Sequence, residues 1–182
     1  MLGNISMVSL RCFIAVELMP GLCRTLSTLS RELKKDDVIQ VSEQNIHITL
    51  KFLGDVSPDK LSSVESRLRE VKFKPFRLAV KGVGVFPNEN YARVVWTGCE
   101  SKELAALANS VNKALDGVFK PEVFTAHITF ARVKRKTELK PFLEKYKRWV
   151  FDEFKINKFV LKSSELTSGG PVYSTIAEFV ME

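Results

Sequence analysis

The sequence predicts an α+β fold of antiparallel sheets with flanking helices, and three observations carry that expectation. Apolar and β-branched residues alternate along eight short runs, as half-buried strands require. Amphipathic helical stripes stand between some of those runs. Two strand pairs sit on short turns, FPNENYAR from Phe86 to Arg93 and SGGPVY ahead of the last strand, and turns of that length join antiparallel neighbours.

Taken in order, Leu10–Leu18 reads as the first strand. Arg11 and Glu17 divide this apolar stretch into pieces too short for a signal-peptide core, and no run approaches the ~18 uninterrupted apolar residues of a membrane span. Met7 is the expected start, with residues 1–9 a disordered or non-native extension of a single 182-residue domain. Leu22, Leu26, Leu29 and Leu33 share one helical face after Pro20, and strands are expected at Val38–Val41 and Ile46–Gly54. Ser57 and Pro58 suit the cap and first turn of a second helix, whose stripe is Leu61, Val64, Leu68 and Val71. Phe76–Phe86 and Tyr91–Gly98 follow as strands, then a helix carrying Leu104, Leu107, Val111 and Leu115, closed near Gly117. Val123–Val133, a weaker helix over Thr137–Tyr146, and strands at Phe154–Lys162 and Val172–Val180 complete the chain. GVGVF at Gly82–Phe86 lacks the strand-to-helix setting of a phosphate loop.

The net charge of +7 is concentrated between Arg132 and Arg148, where eight basic residues face two acidic ones and leave the remainder at +1. Such a run is either a solvated surface or a patch that displaces counterions from a polyanion. Cys12, Cys23 and Cys99 fit no metal or redox spacing and read as buried thiols in a reducing cytoplasm.

Function is written in a repetition. The chain has two histidines, His47 in NIHITLKFLGD and His127 in TAHITFARVKR, and each precedes the same Ile-Thr pair. Ile-Thr after both is expected by chance on the order of once in a hundred thousand. On an alternating strand His47 and Thr49 share one face, opposite Ile46, Ile48, Leu50 and Phe52; His127 and Thr129 share another, opposite Ile128 and Phe130. The echo extends to a helix before each motif and further strands after it, which predicts two similar lobes about a pseudo-twofold axis.

A lone strand histidine is ordinarily structural, but two in one context call for a shared task. Two imidazoles fall short of a metal's three or four ligands, and a Ser-His-Asp site would use one histidine. In-line displacement at phosphorus uses two, a neutral ring to accept a proton and a charged ring to donate one. The threonine hydroxyls would donate to the non-bridging oxygens, with no metal or other cofactor required.

These tetrapeptides resemble the signature of the 2H phosphoesterase superfamily. RCFIAVELMP, NIHITLKFLGD, GVGVFPNENYARVVWTG, AHITFARV and KSSELTSGGPVYSTIAEF resemble, more narrowly, the RNA 2′,3′-cyclic phosphodiesterases, also called 2′-5′ RNA ligases. The resemblance implies a bilobal 2H phosphoesterase fold around a positively charged central cleft. It also implies opening of a terminal RNA 2′,3′-cyclic phosphate to a 2′-phosphate, with ligation to a 5′-hydroxyl as a related displacement. His47 becomes the proton donor, His127 the acceptor, and Thr49 and Thr129 phosphate ligands. The implied partner is RNA with a cyclic phosphate end, tRNA-derived ends among the candidates, bound by a monomer without a membrane. Where many members carry proline before the second histidine, this chain has Ala126. Arg132 is a further candidate for phosphate, although strict alternation puts it opposite His127 and a bulge must intervene. Phe86 can stack on a base or fill the core. Arg93 and Tyr173 stand between substrate contact and solvent, and Trp96 and Trp149 read as packing. A non-catalytic RNA-binding module and a phosphodiesterase for a small cyclic phosphoester are the alternatives.

Overall fold

A computed structural model describes residues 9–33 and 36–182; apart from Ser9, the N-terminal extension expected from the sequence lies outside the described residues. Among the described residues nine strands and four α-helices follow in the order β1 (Leu10–Glu17), α1 (Pro20–Arg31), β2 (Val38–Gln40), β3 (His47–Val56), α2 (Pro58–Arg69), β4 (Phe76–Phe86), β5 (Val94–Glu100), α3 (Lys102–Ala114), β6 (His127–Val133), α4 (Lys140–Tyr146), β7 (Val150–Ile156), β8 (Lys158–Thr167) and β9 (Gly170–Val180). All pairings are antiparallel, in the spatial order β7-β4-β5-β6-β3-β1-β8-β9, with β2 on the remaining length of β6. The α+β class with antiparallel sheets is therefore observed.

The path divides into two lobes of four strands, and β3 meets β6 through one pair, Ile48 opposite Ile128. Each isoleucine is the residue between a histidine and its threonine, so the pseudo-twofold axis runs between the two motifs. The repeated unit is strand, helix, motif strand: β1-α1-β3 in one lobe and β5-α3-β6 in the other. The helices cover one face of the sheet and exchange places, α1 lying against β6 and β7 while α3 lies against β3. Between them a continuous core runs through both lobes, with Ile48, Phe130, Leu26 and Leu107 fully buried. The opposite face carries a small separate cluster of Phe13, Ala15 and Val160, with Tyr173 packed against it.

Both motif strands bulge at the same place. Ala15 pairs with Thr49 and Ile14 with Lys51, leaving Leu50 without a partner; Trp96 pairs with Thr129 and Val95 with Ala131, leaving Phe130 without one. An extra residue in one strand reverses the alternation beyond it. The sequence pattern put Phe52 on the apolar face with Leu50; instead Lys51 turns inward and Phe52 outward. Lys51 is 1% exposed, and its ammonium donates to Asn112 Oδ1 at 2.6 Å and to the Lys120 carbonyl at 2.7 Å.

Three expected strands differ in extent, that over Tyr91–Gly98 beginning only at Val94, after a 3-10 turn over Glu89–Tyr91. The run Phe154–Lys162 is split at Asn157, because β7 pairs with β4 in one lobe and β8 with β1 in the other, so the chain changes lobe there. β6 begins at His127 rather than Val123, which is 93% exposed. The approach to β6 is held by side chains, Asn112 Nδ2 donating to the Glu122 carbonyl and Lys51 to that of Lys120. Cys12, Cys23 and Cys99 are free and buried, and burial pushes the Cys12 thiol up to about 11 and Cys99 to about 12, which leaves them inert as nucleophiles. No helix among the described residues is long and apolar enough to cross a membrane.

The Trp96 ring packs directly over Gly84, where an added Cβ would run into the indole. Gly84→Ala is expected to destabilise the fold by about 1–3 kcal/mol through overpacking. Urea denaturation checks this, and an unchanged midpoint would mean that Trp96 swings aside freely.

Candidate active site

Each histidine opens its strand and folds its ring back onto the chain just before it. His47 Nδ1 lies 2.7 Å from the Asn45 carbonyl oxygen, and His127 Nδ1 lies 2.7 Å from that of Thr125. A carbonyl only accepts, so each Nδ1 must donate its hydrogen there, which leaves Nε2 as the unprotonated nitrogen of each neutral ring. Both supports are anchored elsewhere in the fold. Asn45 Nδ2 donates to the carbonyl of Pro171 at the start of β9 at 2.7 Å, and the segment ahead of Thr125 is held by Asn112 and Lys51. His47 Nε2 stands 3.0 Å from Thr49 Oγ1, so the neutral ring accepts that hydroxyl's hydrogen.

Aromatic rings wall both imidazoles. Phe13 and Tyr173 lie 4.9 and 5.4 Å from His47 between ring centroids, and Phe86 meets His127 edge-on at 5.1 Å. Phe86 is backed by Trp96 at 5.0 Å, and the Trp96 ring lies over Gly84. This apolar setting discourages charge at position 47. Burial pushes the His47 pKa down to about 4, the Asn45 carbonyl opposes the shift, and positive charge at Lys162 and His127 adds to it.

Charged side chains that the sequence reading passed over also lie near His47. Lys162 is 8% exposed and donates to Glu17 Oε1 at 2.6 Å and Thr175 Oγ1 at 3.0 Å. Burial works to raise the Glu17 carboxyl, but the hydrogen bond and charge of Lys162 hold it below its ordinary value. Period-two alternation along β1 places Arg11, Phe13, Ala15 and Glu17 on the histidine face, and along β8 places Val160 with Lys162. A lysine within the apolar stretch FVLK, and an arginine in phase with Phe13, were the available signals.

Of the remaining candidates, Arg132 reaches the open face through the bulge at Phe130. Burial raises the Tyr173 hydroxyl, and the charges of Arg132 and Arg11 oppose that rise. Tyr173 and Phe86 lie against the two histidine rings, one on each side. Arg93 is directed elsewhere: its guanidinium stacks 4.4 Å over the Tyr91 ring and donates to the Tyr91 hydroxyl and the Lys134 carbonyl. The basic run ends in a hollow lined by Glu144, Lys145, Lys147, Arg148 and Trp149, at the end of α4 and not at the histidine seam. Among the described residues, no three His, Cys, Asp or Glu side chains are grouped to hold a metal ion.

Two antiparallel lobes, each sending a His-x-Thr strand to one seam, define a 2H phosphoesterase. The family model for LigT-like phosphoesterases matches residues 16–96 and 98–173, and the chain belongs to that family of enzymes. It is 41% identical to an RNA 2′,3′-cyclic phosphodiesterase of Archaeoglobus fulgidus, over 93% of this chain and 99% of the relative. A protein of the same name from Methanocaldococcus jannaschii is 32% identical over 93% and 100%. Among solved structures the chain is similar to TT0787 of Thermus thermophilus, with a TM-score of 0.80, 27% identity and coverage of 94% and 97%. It shares its fold with E. coli LigT complexed with 3′-AMP, with a TM-score of 0.81 at 22% identity and coverage of 95% and 98%.

The depressed His47 has a measurable consequence. Unfolded, the ring takes up a proton near pH ~6.5; folded, it does so only near 4. Stability linked to this group is therefore complete above 6.5 and lost as pH falls through that window, by on the order of 3 kcal/mol. Long-range proton–nitrogen NMR of the two imidazoles is expected to show His47 as the Nδ1–H tautomer, titrating near 4. A midpoint near 6.5 would refute the burial argument.

Proposed function

We propose that the enzyme hydrolyses the terminal 2′,3′-cyclic phosphate of RNA to a 2′-phosphate, with His47 and His127 as its acid and base and no metal in the step. One observation carries this reading: two imidazoles from opposite lobes flank one seam, each with Nδ1 committed to a backbone carbonyl, and the one contact at His47 Nε2 is the motif's own Thr49 hydroxyl. The names of the relatives supply the substrate class.

In this mechanism, water attacks phosphorus opposite O3′. His127 Nε2 accepts the water proton as the new P–O bond forms. The P–O3′ bond breaks and O3′ takes the proton of His47, leaving a 3′-hydroxyl beside a 2′-phosphate. Thr49 and Thr129 donate to the non-bridging oxygens, and Arg132 balances the charge that builds there. A 5′-hydroxyl in place of water follows the same path and yields a 2′-5′ linkage. The donor's part for His47 rests on family resemblance, and burial alone opposes it. The phosphodiester's negative charge supplies the missing driving force: an anion beside Nε2 in a poorly solvated site favours the imidazolium. On this reading the proton of His47 arrives together with the substrate.

His47→Ala and His127→Ala are each expected to lower opening of a cyclic-phosphate oligoribonucleotide by ~10²–10⁴-fold or more. The wild type should work undiminished in EDTA and release a 2′-phosphate. Loss of activity with chelator, survival of either variant, or salt-sensitive RNA binding without turnover would overturn the reading. Binding of inorganic phosphate near pH 6, measured calorimetrically in buffers of different ionisation enthalpy, is expected to take up a proton, and His47→Asn should reduce that uptake.

A further inference from the structure

The bulge in β3 turns Lys51 into the interior, and its ammonium lands on the other repeated unit. There it donates to Asn112 Oδ1, on α3, and to the Lys120 carbonyl. Asn112 extends the grip: its Nδ2 donates to the Glu122 carbonyl at 2.9 Å, and its Oδ1 also accepts from Glu122 N–H at 3.3 Å. The Glu122 carboxylate in turn accepts from Phe52 N–H at 3.0 Å, so two successive residues of the strand that bears His47 hold this segment. Residues 120–126 form neither helix nor strand. They contain Thr125, three residues beyond Glu122, whose carbonyl receives the hydrogen of His127 Nδ1.

The approaches to the two histidines are built differently. Ahead of His47 the chain runs through β2, which pairs with β6, and Val41 N–H adds a bond to the Phe130 carbonyl at 3.0 Å. Ahead of His127 no strand does this, and side chains take its place. Lys51 stands four residues after its histidine, and the residue four after His127 is the fully buried Ala131. A buried ammonium is costly unless its hydrogens find acceptors. It occurs in the motif strand whose neighbouring approach lacks backbone pairing, and its acceptors belong to that approach.

We propose that Lys51 and Asn112 are positioning residues for His127: they fix residues 120–122, and so hold the Thr125 carbonyl that gives the ring one tautomer and one direction. Neither residue touches the substrate. The strand that carries one histidine thereby orients the other, and the two reacting groups are set by a single connected network. The inference rests on the two-histidine reading of catalysis, and one arm of its test is independent of that reading.

Two variants and two measurements decide it. Lys51→Met removes the cation at nearly constant length, and Asn112→Ala removes the bridge to Glu122. Both are compared with the wild type at a temperature where circular dichroism shows them folded, and Asn112→Ala decides alone if Lys51→Met does not fold. Long-range proton–nitrogen NMR needs no turnover. It is expected to show His127 as the Nδ1–H tautomer in the wild type and as a mixture with Nε2–H in both variants, while His47 keeps its tautomer. With a cyclic-phosphate oligoribonucleotide, each variant should lower kcat roughly 10–100-fold with KM within twofold. The double variant should fall no further than the weaker single one, as members of one network do. A merely structural role would lower the melting temperature and leave the tautomer of the folded protein unmoved. An unchanged His127 tautomer, kcat within twofold of wild type, or a raised KM with kcat retained would overturn the proposal. If the wild type opens no cyclic phosphate, the catalytic reading fails, and the tautomer measurement still decides the positioning.

Discussion

The site depends on how little the two lobes touch through their sheets. One backbone pairing joins them, and it falls on the residue between histidine and threonine in each motif. Alternation then does the rest: with Ile48 and Ile128 committed to the core, His47 and Thr49 must face away from it, as must His127 and Thr129. Buried hydrophobic residues thus aim the polar ones. The rings need one further constraint, and the carbonyls two residues back provide it by fixing tautomer and direction together. Repetition of a short sequence becomes convergence of two side chains because the axis of symmetry runs through the repeat.

Symmetry of the scaffold does not extend to the environment. His47 is enclosed by Phe13 and Tyr173 and lies close to the buried Lys162–Glu17 pair, whereas the ring against His127 is Phe86, backed by Trp96. Acid–base work by two chemically identical groups requires that their surroundings differ. Here the difference is made by neighbours on β1, β8 and β9 that the motifs themselves do not encode.

Much of this was legible in the sequence, and what was not has a physical reason. Local patterns placed all four helices and most strands, since α1, α2 and α3 each show a clean apolar stripe and two of them a proline at the start. The histidines and threonines were legible through duplication. Phe52 was assigned to the wrong face because a bulge is a property of two paired strands, and alternation within one strand carries no mark of it. The same bulge in β6 is what Arg132 required, and the sequence could name that requirement without meeting it. Lys162 and Arg11 were missed because their importance comes from β8 and β1 lying beside β3, a long-range arrangement. The single run over Phe154–Lys162 concealed a change of lobe at Asn157, since both of its halves are equally strand-like.

The exchange of α1 and α3 has a bearing on the mechanics of the molecule. Each repeated unit supplies part of the lid for the other unit's sheet, so each depends on its counterpart to complete the burial of its apolar face. The spacing between the two histidine motifs is therefore set by an interlocked interior and not by a hinge.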